Sequence, residues 1–120
     1  MFVVREFSFD AAHNLERYHG KCERLHGHTY KMAVTLEGRP DGEGMVMDFV
    51  DLKKKVNEEI VSKFDHSYLN DIIPQPTAEN IARYVFERLD GVLKGQNYGL
   101  HSVQIWETAG SSAIFFRGDL

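Results

Sequence analysis

The sequence predicts an α+β domain: a four-stranded antiparallel sheet with two helices on one face, in the order β-β-α-α-β-β. Three observations predict it. Apolar and polar residues alternate at both ends of the chain, a helical stripe occupies its middle, and Pro, Gly and Asp cluster at the joins. At 120 residues there is chain enough for one core, and neither a linker nor a repeat divides it. One domain is expected over residues 1–120.

The first strand is read over Phe2 to His13, with Phe7, Phe9, Ala11 and His13 on one face and Ser8 and Asp10 on the other. A polar loop through Tyr18-His19-Gly20-Lys21 leads to a second alternating run from His26. Tyr30, Met32, Val34 and Leu36 share its inner face. "EGRPDGEG", Glu37 to Gly44, is dense in turn residues and reads as a hairpin loop. From Asp48, a plausible N-cap, the period changes: Phe49, Leu52, Val56 and Ile60 form one stripe of a helix. The stretch from Phe64 to Asp71 breaks that stripe. "PQPTAEN" announces the second helix, because Pro76 is excluded from a helix interior and Thr77 can cap. Ile81, Val85 and Leu89 then recur every four residues, and Gly91 and Gly95 mark the end region. "LHSVQIWE", with Val103 and Ile105 inward, and "SAIFFRG" supply the last two strands. Four strands leave two unpaired edges, so association through them is expected.

Composition narrows the function. A net charge of −4 argues against a general nucleic-acid binder, and no run approaches the ~18 apolar residues of a membrane span. Arg5 and Glu6 interrupt what a signal peptide would keep apolar. The single cysteine cannot form an internal disulfide, so Cys22 is expected as a free thiol in a cytoplasmic, reducing setting. Locally the balance reverses: Arg17, Lys21, Arg24 and Lys31 oppose only Glu16 and Glu23, which suits a small anionic ligand.

Four of the six histidines, and the cysteine, fall within "HNLERYHGKCERLHGHTYKMAV". Residues two apart on a strand point the same way, so His26 and His28 form a two-pronged claw. His13, ending the preceding strand, lies beside it if the two strands pair. Three histidines with an open fourth position form the catalytic zinc pattern. Cys22 as fourth ligand would instead close a structural site, giving a zinc-stabilised binding module. Lys21 and Arg24 favour a reactive thiolate standing near the metal. Asp65-His66 has the composition of a general acid/base pair. Glu107 continues the inward alternation of Val103 and Ile105, and a carboxylate there must be paired or serve a ligand, unless the strand end frays into solvent.

The pieces "FSFDAAH", "CERLHGHTYK", "MVMDFVDLK", "FDHSYLN", "PTAEN" and "WET" resemble, in the same order and over nearly the full length, the 6-pyruvoyl-tetrahydropterin synthase / 6-carboxytetrahydropterin synthase family. The resemblance implies the tunnelling fold, whose subunits join into trimeric barrels that stack as a hexamer with active sites at subunit interfaces. It implies Zn2+ on His13, His26 and His28, a catalytic thiol at Cys22, and Asp65 with His66 assisting proton transfer. Glu107 then anchors the amino-pyrimidine edge of a pterin, and Thr77 contacts the pterin of a neighbouring subunit. The implied substrate is 7,8-dihydroneopterin triphosphate, with no nucleic-acid or membrane partner. The short gap between Cys22 and His26 resembles the 6-carboxytetrahydropterin branch, which serves queuosine synthesis. Glu23 resembles the carboxylate of a branch that yields 6-hydroxymethyl-7,8-dihydropterin for folate, so a dual activity or that product is the alternative, with the 6-pyruvoyl product next.

Overall fold

Two long strands carry the architecture. In the computed structural model, which describes residues 1–20 and 23–120, β1 (Phe2–His13) and β2 (His26–Gly38) pair antiparallel without a break, from Phe2 opposite Glu37 to His13 opposite His26. The next element is a two-residue strand, β3 (Ser67–Tyr68), parallel to β1 at Ala11 and Ala12. β4 (Tyr98–Thr108) pairs with β2, and β5 (Ser111–Phe116) pairs with β4. The sheet order is β3-β1-β2-β4-β5.

Two expectations are corrected here. The sheet has five strands and is mixed, because the stretch that breaks the first helix returns along β1 and takes a parallel register. Residues 37–44 are not a hairpin loop. They join β2 to a helix, and the Asp41 carboxylate organises the turn by accepting the N–H groups of Glu43 and Met45.

Both helices lie where the stripes place them. Asp48 caps α1 by accepting from the Val50 N–H at 2.7 Å; α1 opens as Phe49–Val56, widens into a π-helical stretch at Asn57–Val61 and closes with Ser62–Phe64. Leu52, Val56, Ile60 and Phe64 are all buried. A row spaced by four drifts around a helix of 3.6 residues per turn, and the wider π turn returns it toward the sheet. Thr77 caps α2 (Ala78–Asp90) through the Asn80 N–H, and Ile81, Val85, Phe86 and Leu89 face the core. These side chains meet Phe9, Tyr30, Met32, Val34, Leu36, Val103 and Ile105 from the sheet in one cluster. Leu52→Ala is expected to cost about 2–5 kcal/mol in urea unfolding, since the cavity it leaves lies between helix and sheet.

The opposite sheet face is more open: Phe2, Val4, Ile114 and Phe116 are exposed on it. Among the described residues, no helix is long and apolar enough to cross a membrane.

Candidate metal centre and acid–base pair

The β1–β2 register decides the site. It sets His13 opposite His26 and Ala11 opposite His28, so the three imidazoles crowd one end of the helix-facing side. Ring centroids lie 4.5 Å apart for His13 and His26, 5.1 Å for His13 and His28, and 4.7 Å for His26 and His28. Gly27 sits between the claw residues, its absent side chain leaving room against the Ala11 carbonyl.

Two of the rings are locked by backbone. His13 Nδ1 donates to the Pro76 carbonyl and His26 Nδ1 to the Arg24 carbonyl, each at 2.8 Å. A carbonyl only accepts, so Nδ1 carries the proton in both rings and Nε2 presents a lone pair. Those two Nε2 atoms are 3.0 Å apart. Lone pairs at that distance repel unless a metal ion or a shared proton lies between them. Two nitrogens bound to one tetrahedral zinc at ~2.0–2.1 Å stand about 3.3 Å apart, so the spacing fits a shared metal. The outer carbonyls are the partners that metal-bound imidazoles ordinarily keep.

His28 and Glu107 complete the cluster. Among the described residues, the buried His28 Nε2 has no hydrogen-bond partner, although Glu107 Oε1 is 2.9 Å away; the contact is close but misdirected for a hydrogen bond. Glu107 Oε1 also lies 3.6 Å from His13 Nε2. Glu107 keeps the inward alternation of Val103 and Ile105, at a register irregularity of β4 between the pairs Trp106–Ser112 and Thr108–Ser111. Burial holds His28 below the usual histidine range against the opposing pull of Glu107, so the ring is neutral and ready to bind. Beneath them the Tyr30 hydroxyl is buried without a hydrogen-bond partner among the described residues, and burial raises its pKa. His13, His26, His28 and Glu107 thus offer four donor atoms within 4.8 Å of one another, a set that could hold a metal ion.

The other predicted residues fall around this centre. Glu23 places Oε1 3.4 Å from His26 Nε2. Cys22, the expected thiol, lies outside the described residues, as does Lys21. Asp65 Oδ2 lies 3.1 Å from His66 Nδ1, and both side chains are well exposed. The Asp10 N–H bonds Asp65 Oδ1 at 2.9 Å and, with His66, holds that carboxyl below the usual carboxylate range. His66 has a left-handed backbone at φ 59°, and its N–H bonds the Asp10 carbonyl at 2.6 Å. His66 and His28 line one open cleft of about 500 Å³, together with Asp10, Gly27 and Thr29. Thr77 uses its hydroxyl as the α2 cap and directly follows the carbonyl that holds His13.

The whole chain has known counterparts. The protein-family model described as 6-pyruvoyl tetrahydropterin synthase matches residues 2–118. The chain belongs to this family. A 6-carboxy-5,6,7,8-tetrahydropterin synthase of Synechocystis is 40% identical over 121 residues, covering 95% of this chain and 92% of the relative. A dihydroneopterin monophosphate aldolase of Pyrococcus furiosus is 41% identical over 105 residues, 88% of each. The structure of Caenorhabditis elegans 6-pyruvoyl tetrahydropterin synthase superposes with a TM-score of 0.84 at 31% identity, over 97% of this chain and 94% of that one. The fold is therefore the tunnelling fold, and the chain is a lyase-type enzyme of the tetrahydropterin synthase family.

For this family member, the sequence points to candidate site side chains but not to the groups that support them. The Pro76 and Arg24 carbonyls have no sequence signature, since every residue carries one. Asp10 reads from the sequence only as a strand-face residue. Its N–H and carbonyl both serve the Asp65-His66 turn, which the exposed Asp in "FSFDAAH" does not announce.

Proposed function

We propose that this chain is a zinc-dependent 6-carboxy-5,6,7,8-tetrahydropterin synthase, a single domain over residues 1–120 that converts 7,8-dihydroneopterin triphosphate to 6-carboxytetrahydropterin, releasing acetaldehyde and triphosphate, for queuosine synthesis. The observation that carries the reading is the 3.0 Å approach of two lone-pair nitrogens, joined by His28 and by Glu107. His13, His26 and His28 hold the zinc, which when bound acidifies the hydroxyls of the substrate side chain. Cys22 takes a proton from that side chain as a thiolate. His66, oriented by an Asp65 that stays ionised, returns a proton at Nε2. Glu107 accepts the N–H donors of the amino-pyrimidine edge, its one-third exposure leaving it open to substrate. Thr77 adds a pterin contact across a subunit boundary, in a cytoplasmic trimer or dimer of trimers joined at sheet edges.

A second product is supported by Glu23. Its carboxylate stands 3.4 Å from a proposed ligand, and one relative is named as an aldolase. In that position it would direct cleavage toward 6-hydroxymethyl-7,8-dihydropterin, as a sole or a dual activity; the 6-pyruvoyl product would require the side chain to survive. Incubation with 7,8-dihydroneopterin triphosphate and mass spectrometry of the pterins separates these outcomes. 6-Carboxytetrahydropterin is expected as the main product. Glu23→Ala is expected to lose any hydroxymethyl product selectively, and an unchanged product ratio would rule out a catalytic Glu23.

A further inference from the structure

The loop that leaves His13 is gripped by two side-chain amides from a single segment. Asn70 Oδ1 accepts the Asn14 N–H at 3.0 Å, and Asn70 Nδ2 donates to the Asn14 carbonyl at 2.8 Å. Gln75 repeats the pattern three residues along: Oε1 accepts the Arg17 N–H at 3.0 Å and Nε2 donates to the Arg17 carbonyl. Each amide stands in for a strand, pairing both polar groups of one backbone unit.

Gln75 adopts this position in the left-handed region, at φ 51°. A non-glycine residue there costs on the order of 1 kcal/mol and persists only where its surroundings hold it. Here they do. The Gln75 carbonyl accepts the Thr77 N–H and the Asn80 side chain, both at 2.8 Å.

This grip reaches the metal centre by two routes. The next residue, Pro76, supplies the carbonyl that fixes the His13 tautomer. The clamped residues Asn14 and Arg17 bracket Leu15, whose carbonyl accepts the Glu23 N–H at 2.7 Å. Glu23 in turn faces His26. Resting on the metal-centre reading above, we propose that Gln75 and Asn70 are positioning residues for the metal site, setting the Pro76 carbonyl against His13 and, through the segment from Asn14 to Arg17, the Glu23 carboxylate against His26.

A carbonyl cannot be deleted by substitution, so Gln75 is the handle on it. Loss of an outer partner of a metal ligand lowers metal affinity about 10–100-fold. Gln75→Gly is the informative change, because glycine accepts the positive φ and loses only the clamp. Gln75→Glu keeps the length and the acceptor while removing the donor to the Arg17 carbonyl, and serves if the glycine variant fails to fold. Cobalt(II) is titrated into the metal-free full-length proteins, with affinity read by chelator competition and ligand geometry by the visible absorption band. About ten-fold weaker binding and a shifted band are expected in the glycine variant, and a smaller change in the same direction in the glutamate variant. A merely structural role would lower the melting temperature of the metal-free protein and leave both readouts unmoved. Parent-like cobalt affinity and spectrum in the folded variants overturn the proposal. A parent protein that takes up no cobalt overturns the metal centre itself, and the clamp's role with it.

Discussion

His28→Ala is expected to abolish stoichiometric zinc and to lower turnover of 7,8-dihydroneopterin triphosphate by about 10³-fold. Zinc polarisation of a reacting oxygen supplies several kcal/mol, and ~4 kcal/mol corresponds to about three decades in rate. Removing one of three nitrogens leaves His13, His26 and Glu107, a weaker set in which the Nε2 lone pairs still face each other at 3.0 Å. His28 is the informative candidate ligand because its ring packs on Tyr30 at 5.5 Å and its Nε2 has no hydrogen-bond partner among the described residues, so the fold loses little when it goes. Metal content by emission spectroscopy and single-turnover kinetics check this. Full activity with no bound metal would sink the zinc reading. Acid should mimic the mutation: burial favours the neutral ring, so protons displace metal from His28 only as pH falls well below neutrality.

His66→Ala is expected to reduce kcat about 10²–10⁴-fold while zinc content stays at the parent level. His66 stands apart from the four candidate metal donors but lines the same cleft as His28, so chemistry and metal binding separate experimentally. Asp65→Asn should lower kcat in the same direction. The Asp10 N–H holds Asp65 ionised below the usual carboxylate range, so its charge is present above that range and lost only as pH falls through the lowered pKa. Asp65 itself is therefore expected to contribute no titration to the kcat profile near neutrality. An undiminished kcat in His66→Ala, measured at saturating substrate, would remove the pair from the mechanism.

Legibility differs with the range of the interaction involved. Periodicity of two exposes the faces of Phe9 and Tyr30, and a spacing of four exposes Leu52, Val56 and Ile60, because burial of one face is a local pattern. The turn residues at 37–44 do form a turn, but it joins β2 to the expected helix instead of closing a hairpin. Turn chemistry dictates that the chain reverses and leaves the identity of the next element open. β3 is silent in the sequence for a related reason. Two residues have no period, and Ser67 and Tyr68 become a strand only because β1 offers them a partner.

The residue pattern alone marks the candidate metal-binding side chains, the strand face on which His26 and His28 project, the helix caps at Asp48 and Thr77, and the family to which these motifs belong. How those groups are held follows from the packing of the chain. The β1–β2 register brought His13 to His26, the β2–β4 pairing set Glu107 beside His28, and the carbonyls of Pro76 and Arg24 chose the tautomers. Side-chain identity is written residue by residue. The direction of the His13 lone pair, by contrast, depends on a Pro76 backbone atom 63 residues away, of a kind identical in every amino acid.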